Sequence, residues 1–265
     1  MLNLDTALNW RLHPAPIGIG LAPQPPLSFD VSWAGTWAEV REAQRLRYRV
    51  FALEMGARVP SQRHGLDADE FDAYCDHLLV RESPGGAVIG TCRVLAGPQA
   101  QAAGGLYSDE AFDLTPLDRL RPRMADLGRA CVDARHRHGG VILALWRALA
   151  DYMVDHQLST MVGCCSIPLT DGGQAASSLW RRLSRTHIVQ PELRVTPKLP
   201  FPVHLLDSSR EVEAPALLKG YLRLGAKVLG PPAWDPTFGC ADLPLLLQLD
   251  DIAPRYGRRL LKSPW

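Results

Sequence analysis

Residues 126–146, DLGRACVDARHRHGGVILALW, constrain the fold of this chain more than any other stretch. The segment MADLGRACVDA (124–134) alternates as a strand does, with Asp126, Gly128 and Ala130 on one face and Leu127, Arg129 and Cys131 on the other. A short basic loop follows. Val141, Leu145, Trp146, Leu149 and Met153 then recur at helical spacing. The first N–H groups of a helix lack backbone partners and favour an anion. Gly139 and Gly140 allow close approach to that backbone, and Arg135 and Arg137 add positive charge. A plain strand-to-helix turn with surface arginines has the same pattern, so both readings stand on this loop alone.

The pattern on either side is that of an α/β chain. SFDVSW reads as a first strand, and Trp37, Val40, Ala43, Leu46 and Val50 as the apolar stripe of a helix ended by Gly56 and Pro60. CDHLLVRES and AVIGTCRVLA are strands joined by a Pro84-Gly85-Gly86 turn. YSDEAFDLTPLDRL (107–120) is expected to be helical, STMVGCCSIP a strand and AASSLWRRL a helix. Farther on, APALLKGYLRLG reads as a helix, KVLGPPAWDP and CADLPLLLQLDDI as strands, and RYGRRLLKS as a closing helix. Five prolines among residues 1–27 predict a flexible arm. The expected organisation is that arm, a core over 28–208, and a C-terminal extension over 209–265 packed on the core.

Composition narrows the function classes. A formal net charge of +1 argues against bulk nucleic-acid binding. No apolar run approaches the roughly 20 residues of a membrane helix, and no signal peptide is visible. The six cysteines form no C-x-x-C pair, which suits buried thiols in a reduced, cytoplasmic protein. No ligand spacing implies a metal.

Arg137-His138-Gly139-Gly140 resembles the R-x-x-G of the pyrophosphate loop of GNAT acyltransferases, with Ile142 where that loop usually has Gly or Ala. LRYRVFALEMGA (46–57), DEFDAYCDHLLV (69–80), GTCRVL (90–95), LGRACV (127–132) and LLKGYLRLGAKVLGPPAWDPTFGCADL (217–243) are similar, in order, to one branch of that superfamily. That branch is the ornithine Nα-acyltransferases of ornithine-lipid synthesis. The resemblance implies a GNAT-like α/β fold: a central, mostly antiparallel mixed sheet flanked by helices. It implies an N-acyltransferase that moves a long, 3-hydroxylated acyl chain from acyl carrier protein to the α-amine of ornithine. The acyl thioester would be a co-substrate, with no permanently bound cofactor. A carrier-borne pantetheine lacks the nucleotide end, so Ile142 is tolerable. The lyso-lipid product implies transient contact with the inner face of a membrane.

Such a reaction needs a base for the α-ammonium, a donor for the oxyanion and a site that holds both reactants. By resemblance, Asp126 is the candidate base, at a position where the branch usually has Glu. The shorter side chain favours a relaying water. Gly128 would mark a bulge that splays the strand, and Arg129 would act beside it. Arg93 and Arg129 are candidates to bind the amino-acid carboxylate. Arg47, on the apolar side of its helix, needs a partner among the carboxylates of DADEFD (67–72), especially Asp69 and Asp72, and this helix and the acidic loop would shape the amino-acid pocket. Cys131, Val132, Arg137, Gly139 and Gly140 would hold the pantetheine. Arg135, Arg137, Arg181, Arg182 and Arg185 would form a basic face toward the acidic carrier protein.

Other readings use the same residues. Acyl-homoserine-lactone synthases share the R-x-x-V-F helix and acidic loop but not the 217–243 segment. An inactive GNAT module that only binds acyl carriers is a further alternative. His64 and Asp69 have the spacing of an H-x-x-x-x-D acyltransferase dyad, and Cys131 would need a histidine to act as a nucleophile.

Overall fold

A computed structural model describes residues 29–59, 64–137, 140–207 and 209–252. The N-terminal arm, Pro60, Gly139 and the closing helix lie outside the described residues. In chain order the regular elements are β1 (Phe29–Trp33), α1 (Trp37–Arg47), β2 (Asp76–Glu82), β3 (Val88–Ala96), α2 (Gly97–Ala102), β4 (Phe112–Asp113), β5 (Met124–Val132), α3 (Gly140–Asp155), β6 (Thr160–Pro168), α4 (Gln174–Thr186), β7 (Thr196–Pro197), α5 (Ala216–Leu224), β8 (Lys227–Val228), β9 (Ala233–Asp235) and β10 (Cys240–Gln248).

The main sheet runs β1-β2-β3-β5-β6-β10-β8, with β9 added on β10. Its pairs are antiparallel except β5 with β6. This is the mixed sheet of the GNAT fold. β10 pairs with β6 along all of its residues, from Cys240 opposite Pro168 to Gln248 opposite Thr160. Residues far along the chain therefore extend the sheet beyond β6. One face packs Leu127, Val132, Cys165, Leu243 and Leu245 against α3, α4 and α5. The other face carries two clusters, one under α1 and one under the loops around Leu106–Leu117.

α1 starts on a capping box: the Glu39 N–H donates to Thr36 Oγ1 (3.3 Å), and the Thr36 N–H donates to the Glu39 carboxylate (3.0 Å). Its helical path continues past Arg47 as a π-helix over Tyr48–Glu54. Such a widened turn rotates the side chains that follow it.

Three expectations are corrected. YSDEAFDLTPLDRL is not a helix: it forms 3-10 turns at Tyr107–Glu110 and Thr115–Leu117, separated by β4, which pairs with β7. Asp113 ends any helical run by accepting from Thr115 N (3.1 Å) and Thr115 Oγ1 (2.6 Å), and Pro116 supplies no N–H. KVLGPPAWDP is two short strands, broken where Gly230 abuts the Val195 carbonyl and two prolines follow. The simple alternation of β5 also fails. Arg93 pairs with Gly128 but Thr91 with Cys131, so β5 holds one extra residue, and Arg129 takes φ 52°. Past this bulge Cys131 turns to the α1 side, the side of Asp126, whereas Val132 joins Leu127 on the α3 side.

Candidate active site

β5 and β6 pair from Met124–Thr160 to Leu127–Gly163 and then part. Two features of sequence part them: the bulge at Arg129 on one strand and the contact of Gly163 on the other. A Cβ on Gly163 would fall 2.6 Å from the Leu127 carbonyl oxygen, so only glycine permits this last contact. The gap beyond it opens a cavity of about 320 Å³.

The cavity has two chemically distinct sides. Toward the helices its wall is Ile142, Leu145, Leu217 and Tyr221, with Cys165 from β6. On the opposite face of the sheet lie Tyr107, Ser108, Asp126, Arg129, Asp235 and Asp242. Val50, Phe51 and Met55, from the π-helix and the residue that caps it, form a further wall.

Asp126 is 2% exposed, and Ser108 holds it through its backbone N–H (2.6 Å) and its hydroxyl (3.0 Å). Burial pushes its pKa up to about 6, against the lowering effect of the Ser108 bonds. A carboxylate with that value can exchange a proton near neutral pH. Asp242 also sits above the usual carboxylate range because of burial, and it accepts from Ser166 Oγ (2.6 Å).

Arg129 joins the cavity to a buried ion-pair network. Its guanidinium lies 4.9 Å from the Tyr107 ring centre and 4.6 Å from that of Phe238, and it donates to the Tyr107 hydroxyl (2.8 Å) and Asp69 (3.1 Å). Arg93 binds both oxygens of Asp69 (2.5 and 2.8 Å) and one of Asp72 (2.6 Å). Arg47 binds both oxygens of Asp72 (2.9 and 2.8 Å) and Asp67 (2.9 Å). Burial would raise the pKa of Asp72, but Arg47 and Arg93 overcome it and hold the carboxyl well below the usual range.

The predicted residues thus fall into two groups. Asp126, Gly128, Arg129, Cys131, Val132 and Arg137 line the cavity. Arg47, Asp69, Asp72 and Arg93 meet one another beside it and are not part of its wall. The expected bidentate grip of Arg93 on a ligand is taken by Asp69, because a guanidinium that is 1% exposed must be neutralised within the protein. Gly128 borders the bulge, but the unusual backbone belongs to Arg129.

In the basic loop, Arg137 donates to Glu54 (2.5 and 2.8 Å) and to the Val132 carbonyl (3.1 Å). Gly140 packs closely on Phe29, and a Cβ there would lie 2.9 Å from the ring. Burial raises the Cys131 thiol to about 12, which rules out a ready thiolate nucleophile. Both Asp69 oxygens are taken by arginines, so no His64–Asp69 dyad is formed. Asp235, Cys240 and Asp242 bring ligand-type atoms within 4.8 Å of one another, but burial keeps the Cys240 thiol protonated, a poor donor for a metal.

Sequence reasoning missed Ser108, Tyr221, Asp235, Phe238 and Asp242. Asp242 left one signal, a carboxylate inside the leucine-rich run CADLPLLLQ. Ser108 left none, because only the tertiary fold brings it to Asp126.

Comparisons with known proteins bear on the family and the fold. The family described as Acetyltransferase (GNAT) domain matches residues 46–147. The L-ornithine N(alpha)-acyltransferase of Rhodobacter capsulatus is 34% identical over 245 residues, 87% of this chain and 94% of the relative. That of Agrobacterium fabrum is 34% identical over 239 residues, 82% of this chain and 80% of the relative. That of Brucella abortus is 32% identical over 250 residues, 86% and 87% of the two chains. Among solved structures, the AHL synthase LasI aligns with TM-score 0.52 at 16% identity, covering 90% of this chain and 98% of its own. FeeM, an N-acyl amino acid synthase from uncultured soil microbes, aligns with TM-score 0.51 at 12% identity, covering 85% and 93%. At these identities the two structures show the shared fold alone.

Proposed function

Because the chain belongs to the L-ornithine Nα-acyltransferase family, an acyltransferase family of GNAT fold, we propose that it acylates the α-amine of ornithine with a long 3-hydroxyacyl chain carried by acyl carrier protein. The observation that carries this reading is a cavity running through a parted sheet, apolar toward the helices and acidic on the other side. An acyl chain suits the first side and a diamino acid the second.

The amine arrives as an ammonium and must lose a proton. Asp126, ionised above pH about 6, takes it directly or through a water. The free amine then attacks the thioester carbonyl. Arg129 and Ala130 have no partners in the ladder at the bulge, and their N–H groups suit the oxyanion that forms. Collapse of the tetrahedral intermediate forms the amide, breaks the C–S bond and returns a proton to the pantetheine thiol. Arg129, at the acidic side, would meet the substrate carboxylate. Asp235 and Asp242 suit the cationic side chain.

Two features favour a carrier-borne donor over free coenzyme A. Ile142 occupies the loop position that is usually small in nucleotide-binding relatives, and Arg137 is already paired with Glu54. Exposed Arg135 and the helix α4 arginines Arg181, Arg182 and Arg185 would face the acidic carrier protein. The described residues include no helix long and apolar enough to cross a membrane. Leu53, 66% exposed, and Met55 on the cavity wall would serve transient contact with a lipid surface as the amphiphilic product leaves.

The test is a mass-spectrometric assay of the purified protein with 3-hydroxyacyl carrier protein and a panel of amino acids. An N-acyl product formed selectively with ornithine supports the reading. A lactone that appears only with S-adenosylmethionine overturns it.

A further inference from the structure

Tyr221 is an unexplained polar group in the apolar half of the cavity. It lies on α5 and is only 6% exposed, and its ring packs edge-on against Trp146, with centroids 4.4 Å apart at 84°. It lines the cavity with Leu145, Leu217 and Cys165, so its hydroxyl is a polar group in an otherwise apolar stretch of wall. Apolar pockets carry a few placed polar groups that fix the orientation of what they bind, and a phenol in such a wall is a place for a polar ligand atom.

Its position narrows what that atom belongs to. Cys165 lies two residues beyond Gly163, where β5 and β6 part. Burial keeps the phenol protonated, far above its ordinary range. The phenol is therefore a neutral donor and acceptor near the reacting centre, on the helix side where the alkyl chain runs. The amino-acid groups belong on the opposite face. In the acyl-transfer reading the thioester carbonyl would lie between the parted strands, beside the bulge.

We infer that Tyr221 is a specificity residue that hydrogen-bonds an oxygen substituent carried by the acyl chain within a few carbons of the thioester. The inference rests on the acyl-transfer reading above, with α5 as the element that reads the donor. A chain lacking the oxygen leaves the phenol without a partner in a dry wall, and that loss discriminates between donors.

The experiment compares two acyl carrier protein donors of equal chain length, one 3-hydroxylated and one unsubstituted, with the full chain and with Tyr221→Phe. The phenyl ring keeps the packing on Trp146. The wild type is expected to favour the hydroxylated donor by on the order of 10- to 100-fold in kcat/KM. Tyr221→Phe is expected to bring the two donors within about threefold, by losing activity on the hydroxylated one while the unsubstituted one is unchanged. Equal losses on both donors overturn the inference and place Tyr221 at the thioester. A wild-type ratio near one overturns it without any variant. No N-acyl product from either donor defeats the acyl-transfer reading itself, and the inference with it.

Discussion

Gly163 and Leu127 are the last pair at which β5 and β6 touch, and a methyl group on Gly163 would lie 2.6 Å from the Leu127 carbonyl oxygen. The parting of the sheet begins at this contact. Gly163→Ala is therefore expected to push β6 away and misplace the cavity walls. A loss of about 1–3 kcal/mol in denaturant unfolding, with kcat/KM down at least about tenfold, is the expected outcome. Wild-type values for both would show that the contact does not set the gap.

As the proposed base, Asp126 is expected to couple activity to pH. With a folded pKa of about 6, activity is expected to rise as pH increases through that value. The stability effect has the opposite sign. The folded state holds the proton more tightly than the unfolded chain, so stability declines as pH rises from about 4 to about 6 and is level above. Asp126→Asn is expected to lower kcat by about 10²–10⁴-fold. The same variant should gain on the order of 2 kcal/mol of stability at pH 7, read by thermal melts across pH.

The depressed pKa of Asp72 acts in the other direction. Its contribution is full at neutral pH and is lost as pH falls below about 4. Asp72→Asn leaves Arg47 and Arg93 short of one buried charge. A cost of about 3–5 kcal/mol, seen as a melting temperature lower by roughly 10 °C, is expected.

Arg129 combines a left-handed backbone at φ 52° with a guanidinium held between two rings. Arg129→Lys loses the planar fork and most of the stacking. The expected result is a rise of about tenfold or more in KM for the amino acid, with KM for the acyl donor little changed. The opposite pattern would assign Arg129 to the donor.

Ile142 tests the carrier. Ile142→Gly removes bulk from the cavity wall beside the start of α3. Use of acyl-coenzyme A is expected to improve relative to acyl carrier protein, measured as the ratio of kcat/KM values. An unchanged ratio would show that the loop does not select the donor.

The strands and long helices were legible because burial leaves a period in the sequence. Val141 to Met153 on α3 and the paired runs of β2 and β3 show it plainly. The π-helix at Tyr48–Glu54 was not, since its apolar spacing is close to that of an α-helix. The bulge was half legible: Gly128 pointed to the place, but the residue with positive φ is an arginine, which no propensity predicts. Asp126 and Arg129 were found by resemblance. Their supports were not, because Ser108 and Phe238 reach the site from loops whose positions depend on the whole fold. Arg47 was read correctly as needing acidic partners from residues 67–72, and fully buried Asp67 is one of them beside Asp72.

The place of β10 has a consequence for synthesis. A ribosome delivers the chain from its N-terminus, so β5, β6 and α3 emerge while the neighbour of β6 is still unmade. Until residues 240–248 arrive, β6 is an open edge along its whole length, able to pair with another nascent copy. The acidic half of the cavity, which needs Asp235 and Asp242, is assembled in the same late step. A chain interrupted before that point carries the apolar wall with the acidic wall incomplete.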